Sequence, residues 1–87
     1  MQIPGMDIQV NNISLNMSNA DVRRLFSTFG IVDSAEVGRD KYNGRSKGNA
    51  HVCMPNAAQA RQAIVSLDQT VMDGKKISVV ELPSVIY

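Results

Sequence analysis

The chain has 87 residues, of which 44% are hydrophobic and 20% are charged. This length allows one domain and little else, and the composition is that of an ordinary globular domain. The formal net charge of +1 argues against a protein that holds nucleic acid by overall charge alone. The one cysteine, Cys53, excludes an internal disulfide framework and a metal site built from paired cysteines. Because no apolar run approaches the roughly 20 residues that cross a bilayer, we expect a cytoplasmic protein that does not associate with membranes.

The first predicted element is a strand at residues 7–11, where apolar and polar side chains alternate. Alternation with a period of two is typical of a strand that has one buried and one solvated face. We therefore expect Ile8 and Val10 to face a core, and Gln9 and Asn11 to face solvent.

A helix is predicted next, and its start is at Ser18. Ser18 followed by Asp21 resembles a capping box, in which each side chain bonds the backbone amide of the other residue. The apolar residues that follow at helical spacing share one face, and they are Val22, Leu25, Phe26 and Phe29. We expect Gly30 to end this helix in the left-handed conformation.

Two further strands are predicted on either side of a turn. The first covers Ile31–Arg39 and the second covers Asn49–Met54, and Asn43-Gly44 between them is a strong hairpin signal. Alternation predicts the inward side chains to be Val32, Ala35, Val37, Ala50, Val52 and Met54. The outward side chains of the later strand are then Asn49, His51 and Cys53.

A second helix is predicted after Asn56, whose side chain can cap its first turn. Asp73-Gly74 indicates another turn, and a final strand is predicted at Ile77–Glu81. The apolar face of the helix repeats at helical spacing through Ala60, Ala63, Ile64 and Leu67.

The predicted order is strand, helix, strand, strand, helix, strand, with one apolar face on each element. Both helices should therefore cover the same side of one four-stranded antiparallel sheet, in an α+β fold of ferredoxin-like βαββαβ topology. We expect residues 6–82 to form this domain, residues 1–5 to be a disordered leader, and residues 83–87 to be a C-terminal tail. The uncovered side of the sheet, which we call the open face, is the leading candidate for a functional surface.

Cationic side chains are concentrated around the predicted hairpin turn, and we call residues 39–47 the cationic hairpin. Its cations are Arg39, Lys41, Arg45 and Lys47, with Asp40 as the opposing charge. Such a cluster can supply contacts to phosphate groups. In an arbitrary protein, a solvated loop is the more common explanation.

Two segments resemble the motifs of the RNA-recognition-motif family. Lys47-Gly48-Asn49-Ala50-His51-Val52-Cys53-Met54 resembles the longer ribonucleoprotein motif, and Ile8-Gln9-Val10-Asn11-Asn12-Ile13 resembles the shorter one. The glycine-containing turns also match the family, so the resemblance covers nearly the whole chain. In style the chain is similar to the short, single-domain members of bacteria. The resemblance implies that the open face binds single-stranded RNA, and that the chain is not an enzyme.

The chain departs from the family at the positions whose aromatic rings stack against bases. These positions hold Gln9, Asn49 and His51, of which only His51 has a ring. We expect hydrogen bonds to base edges to replace part of the stacking, and binding to be weak or of low sequence selectivity. The residues expected to contact single-stranded RNA, or single-stranded DNA in its place, are Gln9, Asn11, Arg39, Lys41, Tyr42, Arg45, Lys47, Asn49, His51, Ser78 and Val80.

Two alternatives stay open. In the first, the chain is a degenerate family member that acts as a protein–protein interaction module, or as a homodimer through the open face or through Val80 and Leu82. In the second, it is an enzyme of the same topology, such as an acylphosphatase, but residues 11–15 contain no glycine to form the anion-binding loop. His51 is the one histidine of the chain, so we expect no metal site, no cofactor and no small-molecule substrate. Lys75 and Lys76 are interpreted as edge-strand charges.

Overall fold

The computed structural model describes residues 5–82. Its elements in chain order are β1 (Met6–Asn11), α1 (Asn19–Ser27), β2 (Ser34–Arg39), β3 (Ser46–Met54), α2 (Ala57–Leu67), β4 (Val71–Met72), β5 (Lys75–Lys76) and β6 (Ser78–Leu82). The predicted C-terminal tail lies outside the described residues, as does the predicted leader up to residue 4.

The main sheet has four antiparallel strands in the order β2-β3-β1-β6. Helices α1 and α2 contact the same side of it, so the predicted ferredoxin-like α+β fold is confirmed. Strands β1 and β3 are neighbours at the centre of the sheet, which places the two motif-like segments side by side. Both strands begin earlier than predicted, at Met6 and at Ser46.

The core lies between the sheet and the two helices. Ile8 and Val52 of the central strands are fully buried, as is Phe26 of α1. Helix α2 contributes Ala60 and Ala63, whose small side chains allow the helix to lie close to the sheet. Burying a large apolar side chain contributes roughly 1.5–3 kcal/mol. Every strand residue that alternation predicted to point inward is buried: Ile8, Val10, Val32, Ala35, Val37, Ala50, Val52 and Met54.

Both predicted helix caps are present. The Asp21 amide donates to Ser18 Oγ at 3.2 Å, and the Ser18 amide donates to Asp21 Oδ2 at 3.0 Å. This backbone amide of Ser18 holds the pKa of Asp21 below its ordinary value. At α2, the Gln59 amide donates to Asn56 Oδ1 at 3.0 Å.

The predicted end of the first helix is wrong. Helix α1 ends at Ser27, and Phe29 lies beyond the helix while still packing against the core. Gly30 has a φ of 159°, far from the value of about 57° that defines the left-handed helical conformation, so it is not a left-handed cap. Its lack of a side chain is required for another reason, because the side chain of Gln59 occupies the space that a Cβ at Gly30 would need.

Strand β2 begins at Ser34 and not at the predicted Ile31, because side chains of the helices bind the preceding backbone. Arg23 Nη1 donates to the Val32 carbonyl at 2.8 Å, and Arg23 Nη2 donates to the Asp33 carbonyl at 3.3 Å. The Ile31 amide donates to Gln59 Oε1 at 3.2 Å. These groups therefore bond to α1 and α2 in place of a neighbouring strand.

The small hairpin β4-β5 was not predicted, although its turn was. Asp73 and Gly74 have φ values of 52° and 76°, both positive as in the type I′ turn that Asp-Gly favours. Lys75 and Lys76 lie on β5 of this hairpin, outside the main sheet. Strand β6 begins after Ile77, whose amide donates to the Thr70 carbonyl at 2.9 Å.

Candidate nucleic-acid interface

The motif positions that lack aromatic rings share the uncovered side of the sheet. Gln9 of β1 lies opposite His51 of β3, and Asn11 lies opposite Asn49. Val10 and Ala50, which lie between them along the two strands, are buried beneath the helices, while these side chains are partly or largely exposed. The structure therefore brings together these predicted RNA-binding residues on one surface.

Strand β6 extends this surface on the other side of β1. Val80 lies beside Gln9 and Ser78 lies beside Asn11, and Val80 is 43% exposed. Gln9, Asn11, Asn49 and His51 form what we call the polar centre of the open face. Val80 can therefore offer an apolar contact next to this polar centre. The residues of the open face that the four strands supply are Asp7, Gln9, Asn11, Ser34, Glu36, Gly38, Asn49, His51, Cys53, Ser78, Val80 and Leu82.

Two side-chain contacts order the polar centre. Gln9 Nε2 donates to Asn11 Oδ1 at 3.2 Å. His51 Nε2 lies 3.5 Å from Asp7 Oδ1, and these side chains are 49% and 45% exposed. Asp7 was not among the predicted site residues, although the alternation through Gln9 and Asn11 extends back to it.

A shallow depression of about 150 Å³ lies on the open face where β1, β3 and β2 meet. Gly38 of β2 borders the depression and has no side chain to fill it. The amide oxygen of Asn49, on the neighbouring strand β3, lies where a Cβ at position 38 would be. Glu36 lies directly opposite His51 and was also missed from the sequence, since cross-strand pairing could not be read from it. The side chains that line the depression include Gln9, Glu36, Asn49 and His51.

The cationic hairpin has a defined conformation that Asp40 and Asn43 hold. Asp40 Oδ1 accepts from the amides of Tyr42 and Asn43 at 2.8 and 3.2 Å. Asn43 Oδ1 accepts from the Arg45 amide at 2.8 Å, and Gly44 has a φ of 71°. The opposing charge of the hairpin, on Asp40, is thus turned toward the hairpin's own backbone.

This conformation leaves the hairpin's functional groups in solvent. Tyr42 is 98% exposed, and Lys41, Arg45 and Lys47 are exposed as well. Arg39 Nη1 donates to the Gly44 carbonyl at 3.2 Å, so the Arg39 side chain spans the hairpin. The hairpin enters β3 at the end of the sheet where Asn49 lies.

Charge changes sign along the open face. Asp7 and Cys53 pair with each other at the end of the sheet away from the cationic hairpin. Burial raises the pKa of the Cys53 thiol, and the carboxylates of Asp7 and Asp33 raise it further. A phosphate backbone is therefore favoured at the hairpin end and disfavoured at the opposite end.

A larger groove of about 590 Å³ lies on the helix side, between α1 and the small hairpin, and we call it the helical groove. No predicted site residue lines it. Val71, one of its apolar residues, is 64% exposed. The other apolar side chains that line it are Met17, Leu25 and Met72.

Metal and membrane features were searched across residues 5–82. No three His, Cys, Asp or Glu side chains of this span are grouped so that they could hold a metal ion. The helices of the same span are too short and too polar to cross a membrane.

Three comparisons relate this arrangement to known proteins. The family model of the RNA recognition motif matches residues 8–78. The chain is 38% identical over 76 residues to a 28 kDa chloroplastic ribonucleoprotein of Nicotiana sylvestris, which covers 87% of the chain and 28% of that protein. The fold is similar to the crystal structure of RNA binding protein PG1, with a TM-score of 0.88, 33% identity, and coverage of 94% of this chain and 99% of that one. It is also similar to a Sxl-lethal protein/RNA complex, with a TM-score of 0.80, 25% identity, and coverage of 85% of this chain and 46% of that one.

The length of the relatives limits which of their properties can be assigned to this chain. The chain spans 28% of the length of the first curated relatives it matches. Relatives at this level of similarity include proteins of flowering plants and fungi, which gives no support to the expected likeness to short bacterial members. The family match includes both motif-bearing strands and both helices that cover the other side of the sheet. The chain belongs to the RNA recognition motif family.

Proposed function

We propose that this chain binds single-stranded RNA through the open face and the cationic hairpin, without catalysing a reaction. The observation that carries the proposal is that Gln9, Asn49 and His51 share one uncovered side of the sheet. The cationic hairpin adjoins this side at the start of β3. In this arrangement bases lie on the polar centre, and phosphates lie toward the hairpin.

The missing rings set the strength of binding. Stacking contributes roughly 1–3 kcal/mol per base, so two amide side chains in place of two rings remove about 2–6 kcal/mol. This loss corresponds to more than tenfold in affinity. Gln9 and Asn49 offset part of it by hydrogen bonds to base edges. Binding is therefore weak, and its overall sequence selectivity is low.

The cationic hairpin supplies the electrostatic part of binding. Its four cations can release counterions from at most four phosphates, which gives a slope of about −3 when log affinity is plotted against log salt for a single strand. Tyr42 at the tip adds a solvent-exposed ring beyond the edge of the sheet. The ring can stack on a base that leaves the open face.

The names of the similar proteins support RNA as the partner. They include a ribonucleoprotein, an RNA binding protein and a protein/RNA complex. Because the chain spans only a part of the curated relatives, their own assemblies are not assigned to it.

Fluorescence anisotropy with a labelled pool of short single-stranded RNAs tests this function. We expect saturable binding at low salt, weaker binding to an RNA duplex of the same length, and a shallow loss of affinity with salt. A single-stranded DNA pool tests whether the 2′-hydroxyl contributes. An unchanged anisotropy up to millimolar protein at low salt contradicts the proposal.

Protein binding is a second candidate function, favoured by the helical groove. Its exposed apolar lining is on the side of the domain away from the open face. Exposed apolar side chains that line a groove can serve as a protein interaction site. Variants of the groove, such as Val71→Asp, should leave RNA affinity unchanged, which separates the two candidates.

A further inference from the structure

We infer that the depression on the open face selects a guanine base, and that Glu36 is the residue that reads it. The inference rests on the proposed RNA binding and adds the identity of one base to it. A single reading position is compatible with low selectivity over the whole bound strand.

The size and the polar lining of the depression suit a flat polar group. Its volume is about 150 Å³, and its lining includes Glu36, His51, Gln9 and Asn49. Gly38 contributes no side chain, and the amide oxygen of Asn49 lies where a Cβ at position 38 would be. A base entering it meets an imidazole ring, two amides and one carboxylate.

The ring and the carboxylate in this depression have separate roles. His51 lies directly opposite Glu36, yet its Nε2 is 3.5 Å from Asp7 on the other neighbouring strand. The ring of His51 thus leans toward β1. Among residues 5–82, Glu36 takes part in no ion pair. Its carboxylate is exposed on the wall of the depression and can accept hydrogen bonds from a ligand.

Hydrogen-bond chemistry then selects the base. An ionised carboxylate only accepts, and its two oxygens suit two adjacent donors. Guanine presents such a pair, N1–H and the 2-amino group, on its Watson–Crick edge. Uracil presents one N–H between two carbonyl oxygens that a carboxylate repels. Adenine and cytosine each present one amino group beside an acceptor nitrogen.

The charge pattern of the face points in the same direction. Glu36 and Asp7 repel phosphate, so the RNA backbone is held toward the cationic hairpin. A carboxylate on an RNA-binding surface favours binding only where it meets a donor edge. Glu36 therefore adds specificity for the base that offers two donors there.

The test uses three short uridine strands that differ at one central position, which is guanosine, inosine or uridine. Inosine keeps the N1–H of guanosine and lacks the 2-amino group. Because a bidentate contact discriminates by about fivefold or more, we expect guanosine to bind at least about fivefold more tightly than inosine. Glu36→Gln should reduce this ratio to about one, since an amide offers only one acceptor.

Glu81→Gln is the matched control, because it makes the same charge change elsewhere. Glu81 lies on β6 opposite the buried Ile8 and is exposed on the side away from the open face. The guanosine preference should survive in this variant. Circular dichroism checks that both variants are folded.

The outcomes separate the inference from the function on which it rests. Equal affinity of the wild type for all three strands would overturn the reading of guanine while leaving RNA binding intact. A guanosine preference that persists in Glu36→Gln would overturn the role of Glu36. Failure of every strand to bind at low salt would contradict the proposed function itself.

Discussion

The imidazole Nε2 of His51 lies 3.5 Å from the carboxylate Oδ1 of Asp7. The contact is diagonal across two central strands, because Asp7 pairs in register with Cys53 and not with His51. A polar contact between side chains that are about half exposed contributes only about 0–1 kcal/mol to stability. Its effect is to hold the one ring among the three motif positions near the centre of the open face.

The contribution of the His51 ring to RNA binding should be measurable as a change in affinity. His51→Ala should weaken binding by roughly 1 kcal/mol if the ring stacks on a base, and His51→Phe should strengthen it because phenylalanine is a larger stacking surface. Anisotropy titrations of the two variants measure both changes. Gln62→Ala, on the exposed side of α2, is the control and should bind like the wild type. Unchanged affinity in both His51 variants would remove the stacking role.

Phosphate contacts of the cationic hairpin should be independent of RNA sequence. Lys47→Ala should weaken binding to all sequences alike and reduce the magnitude of the salt slope by about 1. Arg61→Ala removes the same charge from the exposed side of α2 and should leave the slope unchanged. An equal loss in the two variants would mean that overall charge, and not contact at the hairpin, accounts for the effect.

The capping box at the start of α1 should contribute to folding and not to binding. Ser18→Ala removes the hydroxyl that accepts from the Asp21 amide and should lower the free energy of unfolding by about 1 kcal/mol. Ser66→Ala, at an exposed position of α2, should not lower stability, because alanine is a better helix former than serine. Urea denaturation measures both variants. A Ser18→Ala protein as stable as the wild type would contradict the cap.

Acid stability should depend on Asp68, which links α2 to β6. Its Oδ1 accepts from the Val79 amide at 2.9 Å, and this bond holds the pKa of Asp68 below its ordinary value. A pKa that is lowered in the folded state stabilises the fold above the unfolded value, and this stability is lost as the pH falls through the folded value.

The variant Asp68→Asn tests this linkage. Its stability should fall less steeply than that of the wild type as the pH is lowered below the ordinary Asp pKa of 3.8. Asp73→Asn, in the turn between β4 and β5, is the control and should keep the wild-type pH dependence. Identical profiles for the wild type and Asp68→Asn would show that the bond to Val79 has no such effect.

The main elements of the fold could be predicted because each kind of element follows a local rule that is visible in the sequence. Alternation identified the inward residues of the strands, and the caps at Ser18 and Asn56 located both helix starts. The ends were harder to predict, because tertiary hydrogen bonds decide them. Arg23 and Gln59 bind the backbone before β2, and neither contact follows from local sequence. The strands of the small hairpin are too short to show any periodicity.

Some residues of the candidate site could likewise be predicted from the sequence, and others could not. The alternation that predicted Gln9 and His51 to face outward needs only one strand at a time. Asp7 and Glu36 become part of the site through cross-strand register, which brings them to either side of His51. The helical groove depends on how α1 meets the small hairpin, so no segment of the sequence indicates it.

Backbone amide chemical shifts followed during titration with a short single-stranded RNA pool test the central claim most directly. The account predicts that shifts concentrate at Gln9, Asn49 and His51 and along the cationic hairpin, while the exposed sides of α1 and α2 stay unchanged. Shifts confined to the helices and the helical groove, or no shifts at millimolar RNA and low salt, would contradict it.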